Sequence, residues 1–78
     1  MKNVEIYSTP VCKYCSAAKD FFKAHNIAYT EYDVASDEAK KKEMIEKSGQ
    51  LGVPVIDVGG DIVVGYDEVV LKQLLSIA

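Results

Sequence analysis

The chain's two cysteines stand three positions apart, in Cys12-Lys13-Tyr14-Cys15. A thiol pair at that spacing has few uses. One is half of a zinc site, but a closed zinc site needs four ligands. The sequence adds only His25 as a further soft donor, about three helical turns on. A second is two buried structural cysteines. A third is a redox dithiol. Positions i and i+3 share a helix face, so the two sulfurs can bond without moving the backbone far. One thiolate attacks a disulfide to give a mixed disulfide, and the other thiol resolves it. Placement favours this third use. The motif follows a strand and opens a helix inside a βαβ unit. Unpaired N–H groups at a helix N-terminus stabilise an anion and lower a thiol's pKa. Cys12 is therefore the expected nucleophile and Cys15 the resolving thiol. Lys13 brings a cation close to Cys12, or is simply an exposed charge. Tyr14 is a wall for a thiol substrate, or a surface aromatic.

The elements that must position this pair follow from periodicity. Residues 3–7 alternate apolar and polar and read as a strand, broken by Ser8-Thr9-Pro10-Val11. From Tyr14 the apolar positions Ala17, Ala18, Phe21 and Phe22 mark one helix face to about His25, with Asn26 as the stop. Ile27 to Val34 is a second strand, in which Tyr29 and Tyr32 are sheet residues, as Tyr7 is in the first. Ser36 is the expected N-cap of a helix over 37–48 that Gly49 ends, with Lys40-Lys41-Lys42 on its solvated face. Residues 53–58 form a third strand opened by Pro54. Gly59-Gly60 (or Gly60-Asp61) makes a hairpin into 62–64, and Gly65 closes that strand. Asp67 caps a last helix with Val70, Leu71, Leu74 and Leu75 on its apolar face. The order β-α-β-α-β-β-α predicts an α/β fold. Its four-stranded mixed sheet has a parallel first pair, an antiparallel last pair and flanking helices. Base rates favour a trans Val53–Pro54 bond that merely starts an edge strand. A cis bond would offer the backbone of Val53 to an extended thiol substrate.

Residues 4–75 resemble a glutaredoxin, of the thioredoxin-fold superfamily. The resemblance rests on Val4-Glu5-Ile6-Tyr7, Cys12-Lys13-Tyr14-Cys15, Glu43-Met44-Ile45-Glu46-Lys47-Ser48-Gly49, Val53-Pro54 and Gly65-Tyr66-Asp67-Glu68. Val64 and the short last helix are most similar to small glutaredoxin-like proteins and NrdH-type redoxins. The family implies a thioredoxin-like fold, a cis Pro54 and a glutathione groove. In that groove Tyr14 would flank the cysteine moiety, with Lys13 among the binding residues. Val53 would pair main chain to main chain with glutathione, Pro54 would shape the groove, and Gly65, Tyr66 and Asp67 would meet the γ-glutamyl end. It implies no tightly bound cofactor, glutathione as a possible co-substrate, and glutathione or a flavoprotein reductase of the thioredoxin-reductase type as electron donor. An alternative of another class is an iron–sulfur cluster bridged by two chains through Cys12, with outside thiols completing four ligands.

Size and charge bound these readings. Seventy-eight residues are expected to form a single domain, 1–78, too small for a second domain or a large cleft. A net charge of −3 excludes the basic footprint of a nonspecific nucleic-acid binder. No apolar run could span a bilayer, and no secretory signal is read. One close cysteine pair, rather than a spread framework, fits a reducing compartment. The expectation is a cytoplasmic monomer that acts on disulfide-containing proteins, away from nucleic acid and membrane, and holds no metal.

Overall fold

The computed structural model describes residues 3–77. Its elements are β1 (Val4–Ser8), α1 (Lys13–Ala24), β2 (Thr30–Asp33), α2 (Glu38–Ser48), β3 (Val55–Val58), β4 (Asp61–Val64) and α3 (Glu68–Leu75). The order across the sheet is β2-β1-β3-β4. β1 and β2 are parallel, while β1–β3 and β3–β4 are antiparallel. Three strands, β1, β2 and β4, therefore finish at one end of the sheet, and β3 begins there. Each of those three leads into a helix, so α1, α2 and α3 all start from that end.

Side chains alternate across a strand, which gives the sheet two apolar faces. Val4 and Ile6 join Ile56, Val58 and Val63 under Ala18, Phe21 and Phe22 of α1 and Leu71 of α3. Tyr7 and Val55 face the other way, with Val34 and with Met44 of α2. All four residues of β3 are buried, Asp57 included. That is the expected state of an inner strand covered on both sides.

The α2 helix crosses the strands rather than running along them. Near its start Lys40 lies over the Tyr32 ring of β2, 4.1 Å from the centroid. At its end Lys47 donates to Tyr7 Oη of β1 at 2.7 Å and to Asp57 Oδ2 of β3 at 2.8 Å. Glu5 Oε1 stands 3.6 Å from the same ammonium, and Tyr32 donates its hydroxyl to Glu5 Oε2 at 2.6 Å. Burial works against the Lys47 charge, but hydrogen bonds to Asp57 and Tyr7 hold it above the usual lysine range. Burial likewise pushes Asp57 up, yet Lys47 and the Gly60 N–H pull its carboxyl below the ordinary range. Because α2 ends over β1 and β3, a short loop suffices to bring the chain into Pro54.

Several boundaries differ from the sequence expectation. The second helix is capped by Asp37, not Ser36: Asp37 Oδ1 accepts the Lys40 N–H at 3.1 Å. Asp33 is the cause. Its side chain accepts the Ala35 N–H, and its carbonyl accepts those of Ser36 and Asp37, so a turn occupies Ser36. The second strand begins at Thr30 rather than Ile27. Ile27 instead donates its N–H to the Phe22 carbonyl and seals the end of α1 behind Asn26, which has φ +56°. The third strand begins at Val55, opposite Tyr7, and leaves Val53 and Pro54 outside the ladder. Gly59-Gly60 does form the two-residue hairpin, both with positive φ, between paired Val58 and Asp61. Of the lysine run, Lys41 and Lys42 are solvated, whereas Lys40 is half-buried and paired with Glu43 at 3.0 Å.

Candidate active site

Cys12 occupies the N-cap of α1. Its backbone is extended, and its Sγ accepts the Cys15 N–H at 3.1 Å. The other two helices show what is unusual here. Asp37 and Asp67 cap α2 and α3 with a carboxylate, and Glu38 and Glu68 add negative charge in their first turns. α1 has no acidic residue in its first turn and begins with Lys13. Its N–H groups and positive dipole end are left to a sulfur. Asp67 accepts the Val70 N–H at 3.2 Å, which is the capping role the sequence predicts for it.

The two cysteines differ in access. Cys12 is half-exposed, while Cys15 is fully buried one turn further on. They are joined as a disulfide with Cα atoms 5.2 Å apart. The Val53–Pro54 bond is cis. Pro54 is buried next to the end of β1, because Tyr7 pairs with Val55 in the adjacent step. Gly65 donates its N–H to the Pro54 carbonyl at 2.8 Å, at φ +82° where a side chain would be strained. The register alone thus gathers the cysteine loop, Pro54, Gly65 and the start of α3 at one end of the sheet. All five of the exposed large apolar residues among those described also belong to segments at this end. Val11 and Tyr14 flank Cys12, Leu51 precedes Pro54, and Val64 and Val69 bracket the turn into α3.

The glutaredoxin family profile matches residues 4–63. The chain belongs to the glutaredoxin family. A glutaredoxin-like 8.6 kDa protein of the rubredoxin operon of Clostridium pasteurianum is 39% identical over 73 residues, 94% of this chain and 97% of that relative. Glutaredoxin 3 of Escherichia coli K12 is 35% identical over 68 residues, 87% of this chain and 82% of its own. Among solved structures, a point mutant of the thioredoxin-like protein BC3987 superposes with a TM-score of 0.92 at 35% identity, with 100% of each chain covered. This glutaredoxin is a thiol–disulfide oxidoreductase with a thioredoxin-like fold, and Cys12–Cys15 is its redox pair.

The remaining residues expected at the site are placed as follows in this glutaredoxin. Lys13 and Tyr14 are exposed beside Cys12, and Val53 is half-buried ahead of Pro54. Tyr66 is half-buried, its ring centroid 6.2 Å from that of Phe21, and packs against the core under α1. Its hydroxyl is pushed up by that burial, with Glu68 adding to the effect. His25 is the C-cap of α1, at the far end of the helix from Cys12, with its ring 4.5 Å from Phe21. Among the described residues no three His, Cys, Asp or Glu stand together as metal donors. No described helix is long and apolar enough to cross a membrane.

Sequence reasoning missed two polar groupings on the two faces of the sheet. One is the Lys47 cluster under α2. The other is Ser8, which is 1% exposed and donates to Glu31 Oε2 at 2.8 Å. The available signal for Ser8 was the alternation Val4, Ile6, Ser8, which puts a hydroxyl on an apolar face.

Proposed function

We propose that residues 1–78 act as one monomeric, cytoplasmic domain that reduces disulfides in two steps. Cys12 attacks the target disulfide and becomes mixed-disulfide bonded; Cys15 then displaces the substrate thiol. The observation that carries this assignment is the cap of α1: the sulfur of Cys12, half-exposed, takes the N–H that a carboxylate takes in α2 and α3. On reduction the same N–H and the dipole favour a thiolate there. Alkylation of the reduced protein by iodoacetamide across pH tests it. Cys12 is expected to react first, with a titration midpoint below that of a free cysteine. Preferential labelling of Cys15 would refute the assignment.

Substrate contacts fall to Lys13, Tyr14, Val53, Pro54, Gly65, Tyr66 and Asp67, around glutathione or a peptide segment. Glutathione brings two carboxylates, and a charge-assisted hydrogen bond to one contributes about 1.5–3 kcal/mol. Ser8-Thr9-Pro10-Val11 supplies no cation before Cys12, and Lys13 is the one beside it. The apolar side chains of Val11, Tyr14, Leu51, Val64 and Val69 offer a protein substrate more than they offer glutathione. Glutathione with glutathione reductase is therefore expected to support turnover more slowly than a thioredoxin-reductase-type flavoenzyme. NADPH consumption with each donor decides, and a faster glutathione rate would overturn that order. A colourless preparation that turns over disulfides fits the oxidoreductase reading. A brown one with visible absorbance would favour a cluster bridged by two chains.

A further inference from the structure

Ser8 ends β1 on the face it shares with Val4 and Ile6, the face that α1 covers. Its hydroxyl hydrogen goes to Glu31 Oε2 at 2.8 Å, and Lys19 Nζ donates to the same oxygen at 2.8 Å. Lys19 follows Cys15 by four positions on α1, so the two are neighbours on one helix face. β1 runs toward the start of α1, and α1 runs back over it. The last residue of β1 therefore lies beneath the first turns of α1, where Cys15 is fully buried. Ile6, two residues before Ser8, pairs with Glu31, and Lys19 sits one turn past Cys15. The two levels correspond.

We propose that Ser8, Glu31 and Lys19 are positioning residues for the resolving thiol, Cys15. This rests on the two-step reading above. Glu31 takes the Ser8 hydrogen, so the Ser8 oxygen keeps acceptor capacity beneath the first turns of α1, where an acceptor favours Cys15 as a thiol. The Glu31 charge discourages a Cys15 thiolate, and the Lys19 charge moderates that effect. Lys19 first, then Ser8, hold the Glu31 carboxyl below its usual range, so it is ionised at working pH. Glu31 in turn holds Lys19 above its usual range. Other charged or titratable groups around the triad are Asp20 and Lys23 on α1, Tyr29 before β2, and Asp33, which pairs with Ser8. Tyr66, ahead of α3, meets Phe21 on the same side of the sheet, and Glu68 at the start of α3 acts on Tyr66. In the resolving step the Cys15 Sγ–Cys12 Sγ bond forms and the bond from Cys12 Sγ to the substrate sulfur breaks. The proton lost by Cys15 is matched by the one the leaving thiolate takes.

A stopped-flow reaction of the reduced protein with a symmetric nitrothiobenzoate disulfide reads both steps. The first burst of coloured thiolate reports Cys12, and the second reports Cys15. Glu31→Gln should lower the pH midpoint of the second phase by about half a unit or more, and Lys19→Gln should raise it comparably. The first-phase midpoint should stay in place, and Lys19→Arg should restore the second. Ser8→Ala should shrink the Glu31→Gln shift, because the hydroxyl no longer couples the two. Both side chains are partly solvent-exposed, at 24% for Lys19 and 40% for Glu31, so these polar substitutions are compatible with folding. Shifts of the same sign, no shift, or an equal shift in the first phase would overturn the proposal. Absence of a Cys12 phase would overturn the two-step reading itself, and the proposal with it.

Discussion

Cys12→Ser should lower disulfide-exchange turnover by about a thousandfold or more, because an alcohol at the α1 cap cannot open a disulfide. Cys15→Ser should behave differently. The first step survives, since the half-exposed sulfur and its N–H partner are untouched, and the mixed disulfide then accumulates for want of a resolving thiol. Intact-protein mass spectrometry after exposure to an oxidised substrate distinguishes the two. Cys15→Ser should carry one substrate thiol on Cys12, and Cys12→Ser should carry none. An adduct on Cys15 in the Cys12 variant, at a rate near that of the wild type, would reverse the roles. Burial makes that reversal costly: Cys15 is fully buried, and a substrate sulfur would have to enter under α1 to reach it.

Lys47→Met should destabilise the fold by about 2–4 kcal/mol, because it leaves buried carboxylates without their cation. For a domain of this size that is a fall of about 10–20 °C in thermal midpoint. Asp57 is 11% exposed and Glu5 20%, and both face the one ammonium. Tyr7 also loses its hydrogen-bond donor. The pH dependence has a definite sign. In the wild type the folded Asp57 carboxyl lies below its unfolded value, so its stabilisation is present above about pH 4 and is lost as pH falls through the folded pKa. The raised Lys47 value describes the same pair from the other side. Its contribution is present below the unfolded lysine pKa and fades as pH rises through the folded one. Without Lys47, burial of Asp57 acts unopposed except by the Gly60 N–H. The variant should then gain stability on mild acidification where the wild type loses it. Thermal melts at neutral and acidic pH check this. A variant that melts within about 2 °C of the wild type would show the cluster to be energetically idle.

The elements were legible where one signal dominated. Phe21 and Phe22 at helical spacing, Asp67 ahead of an apolar stripe, and Gly59-Gly60 between β-branched runs each leave one low-energy local answer. Boundaries failed where two short-range options competed. Ser36 and Asp37 can each cap a helix, and the turn made by Asp33 selects Asp37. Ile27 suits a strand, but after Asn26 it closes α1.

The site divides in the same way. The sequence by itself determined that two thiols open a helix after a strand, because spacing, helix polarity and the βαβ order are local properties. The resemblance added the cis bond and the expectation that Gly65, Tyr66 and Asp67 line a glutathione groove. Tertiary structure alone decided that β1 lies between β2 and β3 and that α2 crosses the strands. It also decided that Tyr66 packs against Phe21, and that Ser8 and Lys47 find their partners Glu31 and Asp57. Those pairings join residues 23 and 10 positions apart, respectively. No local propensity encodes them, since each polar group is satisfied only after hydrophobic burial has brought two distant segments onto one face of the sheet.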